Sequence, residues 1–200
     1  DMASYAAKGV LTDLNQFLDK DDEISKDRYF ENIFSLNSKD GKLYQITPSF
    51  NISALTGATS VVGSETKWNF DEFFKFTEKG NTFYKLPKES LASNMIKENL
   101  AEFVDFDNKT CDFNNDNFIR LLELVEKEGV EEPDKDQLMR DNNAEEEYAR
   151  RFVDGKCRLE FLYMYGFEQL LGLQQGEISE EVTIKGFPSE NGSGISVMTS

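Results

Sequence analysis

Asp112, Asn114, Asp116 and Glu123 have the spacing of a calcium loop. They occupy positions one, three, five and twelve of an EF-hand loop, with the apolar Ile119 at position eight. Oxygen ligands at that spacing would suit a hard cation. Asn117 stands where the loop requires glycine, and the turn-like residues 105–110 take the place of an entering helix. Residues 112–123 read more simply as an Asx-rich helix start, with acids near the positive end of the dipole. A calcium-binding module is kept as the alternative. Glycoside cleavage would need two carboxyls set either side of a bond, and no such pair stands out among 38 acids. Glu160 is the most informative acid because it interrupts the apolar stretch 159–162. It either faces a cleft or points outward from an edge strand, and a carbohydrate-active enzyme built on it is a further alternative.

Phe161, Tyr163, Tyr165 and Phe167 follow that acid. Flat aromatic faces suit the apolar C–H faces of sugar rings, and tyrosine adds a polar tip. Phe161 and Phe167 are expected in the core. Tyr163 and Tyr165 sit where a strand passes into a glycine-bearing loop. Sites in α/β proteins lie beyond strand ends, so these two are expected to touch ligand. Trp68 invites the same idea, but a helix-start staple accounts for it fully.

Composition removes several classes. The net charge of −16 repels phosphate backbones and anionic membranes, so nucleic acid is a poor partner. Histidine is absent, which excludes Ser-His-Asp triads and His-based zinc sites. Neither cofactor nor metal is expected. Cys111 and Cys157 lie far apart without a CxxC. They are a disulfide of a secreted protein or two buried thiols, and nothing in the sequence shows that they meet. No apolar run approaches the roughly 20 residues of a membrane span, and residues 1–10 lack the pattern of a signal peptide. The chain opens on what reads as the tail of a helix, 3–8, with Gly9 as its C-cap, and closes on a strand-like stretch, 194–200. It is therefore read as an internal fragment.

The elements that would position these residues read as α/β. Leu11, Leu14, Phe17 and Leu18 fall at helical spacing after Thr12 and Asp13, and the acidic run 19–23 is a surface loop. Ser25 can cap a helix carrying Tyr29, Phe30, Ile33 and Phe34. Asp40 and Gly41 supply a tight turn, followed by a strand over 42–46 that Pro48 stops. Residues 51–66 are small and polar around a strand-like Val61 and Val62, and read as a crossing and a turn. Asn69 and Glu72 make a capping-box pair, with Trp68 and Phe73 as staple, and Gly80 ends that helix. Further helices are expected over 90–100, over 114–128 with Phe118, Leu121, Leu122 and Val125 inward, and over 145–154 with Tyr148 and Phe152 inward. A loop or loosely held helix is expected over 131–143. Strands are expected over 157–163 and 182–184, with a short helix over 166–171 between them.

Six segments, in order, resemble one family. They are Tyr5-Ala-Ala-Lys-Gly9-Val-Leu-Thr-Asp13-Leu14, the Asp40-Gly41-Lys42-Leu43-Tyr44 turn and strand with Pro48, and Trp68-Asn69-Phe70-Asp71-Glu72. The others are Phe103-Val104-Asp105 with 113–122, Phe152-Val-Asp-Gly155-Lys156, and Gly186-Phe187-Pro188-Ser189-Glu190-Asn191-Gly192-Ser193-Gly194. Together they resemble the family 1 extracellular solute-binding proteins, the sugar receptors of ABC importers. Asn69 departs from the family's usual threonine, and Cys157 and Arg158 from its small residues after Gly-Lys.

The resemblance implies a two-lobed, periplasmic-binding-protein-like α/β fold of the class II type, with part of each lobe present. By that analogy 1–50 belong to the first lobe, 51–190 form most of the second, and 191–200 begin the return hinge crossing. It implies ligand contacts at Phe50 and Asn51 in the first crossing and at Tyr163 and Tyr165, beside the candidate Glu160. It implies a monomer that does no chemistry, an oligosaccharide ligand and an ABC permease as partner. It also implies an extracellular location, with membrane attachment only through a lipid anchor outside this chain. With half the cleft walls absent, the fragment alone is expected to bind weakly or not at all.

Overall fold

Two antiparallel pairings on one central strand organise the larger part of the chain. A computed structural model describes residues 2–21, 23, 28, 31–47, 49–132, 144–190 and 195–199. Pro48, Ser25, Tyr29, Phe30, most of the segment 131–143 and residues 191–194 of the return motif lie outside the described residues. The chain divides into two compact units, Asp1–Asn51 with Met198–Ser200, and Ile52–Val197.

In the first unit, helices α1 (Met2–Ala7), α2 (Asn15–Leu18) and α3 (Glu31–Leu36) precede a hairpin of β1 (Ser38–Lys39) and β2 (Lys42–Leu43). Asp40 and Gly41 form its turn with φ of 52° and 74°. Both are left-handed, the geometry that matches strand twist and that the Asp-Gly pair supplies. The strand is shorter than the expected 42–46. Asp13 does not cap α2 as an N-cap, a place Leu14 takes. Its carboxylate instead accepts from the backbone N–H of Asn15 and of Leu43, at 3.0 and 3.2 Å. Among the described residues of this unit, Leu43, Leu18 and Ile33 are the buried apolar side chains.

Residues 52–58 of β3 (Phe50–Ala58) are the central strand of the second unit. It pairs antiparallel with β6 (Glu160–Met164) through Thr56↔Glu160 to Ile52↔Met164, and with β7 (Val182–Lys185) through Leu55↔Lys185 to Ala58↔Val182. A further strand, β8 (Ser196–Thr199), also pairs β3. The sequence reading of 51–66 as a crossing and a turn placed no strand before Val61, and β3 is the strand it lacked. Small residues let this strand be buried on both faces, and its hydroxyls find partners: Thr56 Oγ1 donates to the Thr183 carbonyl at 3.2 Å. Val61 and Val62 are helical, in α4 (Thr59–Val62), because the chain turns there off the end of the sheet. Gly57 has no room for a side chain. An added Cβ would meet the Arg158 carbonyl oxygen and lie 2.8 Å from Val62 Cγ1. Gly57→Ala is expected to destabilise by about 1–3 kcal/mol through overpacking. Chemical denaturation checks this, and an unchanged midpoint would refute the close approach.

Helix α5 (Phe70–Thr77) begins with the expected capping box. Asn69 Oδ1 accepts from the Glu72 N–H, and Glu72 Oε2 from the Asn69 N–H, both at 2.9 Å. Trp68 and Phe73 meet edge to face at 5.2 Å between ring centroids, which is the staple. With α6 (Lys88–Glu98), α7 (Leu100–Phe103) and α8 (Asp116–Glu128), this helix covers one face of the sheet. The core there joins Leu55, Phe73, Leu91, Met95, Leu121 and Leu159. On α8 the buried pair is Leu121 and Leu124, whereas Leu122 is exposed, a one-position correction to the expected face. A short hairpin of β4 (Val104–Asp105) and β5 (Thr110–Cys111) precedes α8. Helix α9 (Ala144–Ala149) leads to β6, and α10 (Phe167–Gly172) runs into a π-helical turn, Leu173–Glu177. Leu173 and Ile178 pack with Ala58 and Leu162 as a second apolar cluster. Among the described residues no helix is long and apolar enough to cross a membrane.

Candidate functional site

Strand β6 sorts its side chains by the period of two. Phe161 turns to the main core, stacking on Phe83 at 5.2 Å and on Phe187 at 6.0 Å. Leu162 and Met164 belong with the second cluster. Glu160 sits at the strand's start, and each oxygen of its carboxylate has one partner. Oε1 accepts from the Tyr148 hydroxyl at 2.7 Å, and Oε2 pairs with Arg151.

Arg151 is the organising residue. Its side chain is 1% exposed and pairs with Glu160 and with Glu177. Its Nη1 donates to the Tyr148 carbonyl at 2.7 Å, and its guanidinium lies 3.7 Å from the Tyr148 ring centroid. Burial opposes the Arg151 charge, yet Glu160, Tyr148 and Glu177 together raise its pKa. Burial, then Glu160, pushes the Tyr148 hydroxyl well above its ordinary value. The hydroxyl therefore stays protonated and donating. Next to it, Glu147 is bridged by Lys85 at 2.8 Å and Lys156 at 2.9 Å. Lys85 first, then Lys156, hold the Glu147 carboxyl down to about 2.

Tyr148, Arg151 and Glu160 border a cavity of about 220 Å³ beside β6. Phe83, Phe161 and Tyr163 supply apolar wall, and Asn94, Tyr148 and Glu160 supply polar atoms. Burial, then Glu98, raises the Tyr163 pKa. Aromatic walls with a few convergent polar groups are the make-up of a small-molecule site.

The structure brings Glu160 and Tyr163 together at this cavity. Tyr165 is 68% exposed and is not part of the lining. Phe50 and Asn51 are half-buried at the start of β3 and fall in the first unit. Phe167, expected in the core, is 76% exposed, because α10 starts at that residue with its first turn facing outward. Tyr148, likewise expected inward, is 46% exposed. Trp68 is buried, with its indole N–H donating to the Gly186 carbonyl at 2.6 Å. Sequence reasoning missed Arg151, Tyr148 and Asn94 as site residues. The available signal was an Arg pair, 150 and 151, set in an acidic stretch one helical turn past Tyr148.

The calcium-like segment is built as a helix start. Asp112 Oδ1 accepts from the Asn114 N–H at 3.2 Å, and Asn115 caps α8 through the Asn117 N–H at 2.8 Å. Among the described residues no group of three or more His, Cys, Asp or Glu could hold a metal ion. Cys111 and Cys157 are both free thiols, the first exposed and the second buried. Burial pushes the Cys157 thiol up to about 12. One thiol is therefore expected to react with a disulfide reagent at pH 8 in the native protein, and a second only in denaturant. Two reactive native thiols would contradict the burial of Cys157.

No family model matches the chain, and no curated protein matches it in sequence. Solved structures do match. The sugar-binding protein MalE from Xanthomonas citri is 16% identical, over 98% of this chain and 54% of its own, with a TM-score of 0.56. An ABC transporter solute-binding protein from Agrobacterium radiobacter K84, in complex with ribitol, is 15% identical over 100% of this chain and 55% of its own, with a TM-score of 0.56. A family 1 extracellular solute-binding protein from Bifidobacterium longum subsp. infantis is 17% identical over 99% and 54%, with a TM-score of 0.54. At these identities the likeness is one of fold. The chain has the mixed α/β fold of two-lobed, periplasmic-binding-protein-like structures, and it spans about half the length of those it matches.

Proposed function

We propose that this chain is part of an extracellular carbohydrate-binding protein that serves a bacterial ABC importer. The observation that carries this reading is the extent of the fold match. Nearly the whole chain follows proteins described as sugar-binding or solved with a sugar alcohol, at TM-scores above 0.5. In this reading the oligosaccharide is captured between two hinged lobes, 1–50 contributing to the first and 51–190 to the second, with the return crossing beginning in 191–200. Tyr163 and Tyr165 offer aromatic faces, Glu160 accepts from hydroxyls, and Phe50 and Asn51 contact ligand from the first crossing. The protein is a monomer that performs no catalysis, delivers sugar to the permease's transmembrane subunits, and is held at the membrane by a lipid anchor outside this chain. The net charge of −16 disfavours an anionic ligand and fits an uncharged one.

Thermal melting of the full-length polypeptide against a panel of neutral oligosaccharides tests the reading. Ligand at about 100 times its Kd should add about 2.7 kcal/mol of stability, a rise of several degrees. A panel that leaves the melting temperature unmoved refutes the sugar ligand.

A further inference from the structure

We infer that the β4–β5 hairpin and the outer face of α8 form a docking surface for a cationic amphipathic helix of a partner protein. The inference goes beyond the sugar-binding reading and does not depend on it. Large apolar side chains exposed singly need no explanation, but four gather here. Phe106, in the hairpin's turn, is 68% exposed, and Phe113, Ile119 and Leu122 are exposed as well. Three of these run together. The ring centroids of Phe113 and Phe118 are 5.1 Å apart, Phe118 and Leu122 are four residues apart on α8, and Ile119 and Leu122 three apart.

The surface is held in shape before anything binds. Asp105 Oδ1 accepts from the backbone N–H of Asp107 and of Asn108 at 3.0 and 2.9 Å, and Oδ2 from the Asn108 side-chain amide at 2.7 Å. These three bonds fix the turn that carries Phe106. The Asp112 N–H donates to the Phe103 carbonyl at 2.8 Å, and the Phe118 ring meets that of Phe103 edge on at 5.2 Å. Phe103 belongs to the main core, so hairpin and helix are fastened to it together. Among the described residues no ring packs on Phe106. An aromatic anchor on a fixed turn loses little backbone entropy on binding.

Charge names the occupant. Asp105, Asp107, Asp112, Asp116 and Glu123 lie among these apolar groups, against Lys109 and Arg120 alone. Arg120 is spent on Asp71 at 2.7 Å. Among the described residues none of the five acids is in an ion pair. A second copy of this chain would bring the same acids to the contact and be repelled, and so would an anionic membrane. Lysine and arginine beside an aliphatic stripe complement both the carboxylates and the apolar groups. The shape asks for a helix, because Ile119 and Leu122 form a ridge along α8 against which a second helix packs.

Fluorescence anisotropy of a labelled leucine–lysine amphipathic peptide of about four helical turns, titrated with the full-length polypeptide, tests this. The same peptide with glutamate for lysine is titrated beside it. The lysine peptide should bind saturably, and more weakly as salt is raised, while the glutamate peptide should not bind. Phe106→Ser and Leu122→Ser should each weaken binding by about tenfold, the scale of an interface anchor. Both side chains are exposed, so neither substitution opens the core. Phe167→Ser removes an exposed aromatic elsewhere and should leave the affinity unchanged. The docking surface is overturned if the lysine peptide does not bind, if both peptides bind alike, if neither Phe106→Ser nor Leu122→Ser alters the affinity, or if Phe167→Ser weakens it as much. None of these outcomes bears on the sugar titrations, so the two readings stand or fall separately.

Discussion

Arg151→Ala is expected to lower the melting temperature by about 10 °C. The arginine side chain is almost wholly buried, and it holds the Glu160 and Glu177 carboxylates, the Tyr148 carbonyl and the Tyr148 ring at once. Removing one partner of a buried ion pair leaves the others charged in a poor solvent, at about 3–5 kcal/mol. Glu177 is a third exposed and recovers some hydration, which puts the expected loss near 3 kcal/mol. For a chain of this size about 1 kcal/mol shifts the midpoint by roughly 2–4 °C. Glu160→Gln should cost less, because Gln keeps an acceptor for Tyr148 and Glu177 still pairs with Arg151. A shift below about 3 °C for Arg151→Ala would mean that the network is an exposed ion pair of little consequence.

Trp68→Ala is expected to destabilise by about 3–5 kcal/mol, the range for deleting a buried aromatic. Its ring meets Phe73 at 5.2 Å and Phe76 at 5.6 Å, and the Lys185 ammonium lies 4.7 Å from its centroid. Trp68→Phe keeps the ring packing and loses the bond to the Gly186 carbonyl, so about 1 kcal/mol is expected. Urea denaturation of both variants separates a staple from a ligand platform. A platform would lose sugar affinity on substitution while the unfolding midpoint stayed in place.

Features legible in the sequence were those written in adjacent residues. The Asp40 and Gly41 turn needs two left-handed residues in a row, and the Asn69 to Glu72 box is complete within four. Strand β3 was illegible because Asn51, Ser53, Ala54 and Gly57 carry no strand signal and break up Ile52, Leu55 and Thr56. Pairing with β6 and β7, far along the chain, imposes the extended form. The same override bends Val61 and Val62 into a helical turn despite their β preference. At the site, Glu160 stood out because it interrupts an apolar stretch, and Tyr163 because it sits where a strand passes into a glycine-bearing loop. Arg151 and Asn94 did not, since only tertiary packing brings α6, β6 and the stretch after α9 to one cavity.

Calorimetric titration of the full-length polypeptide with neutral oligosaccharides bears most directly on the proposed function. The expected result is saturable one-to-one binding of at least one sugar, with a negative heat-capacity change from burying apolar ring faces on aromatic side chains. No saturable heat from any sugar in the panel would contradict a carbohydrate-binding role.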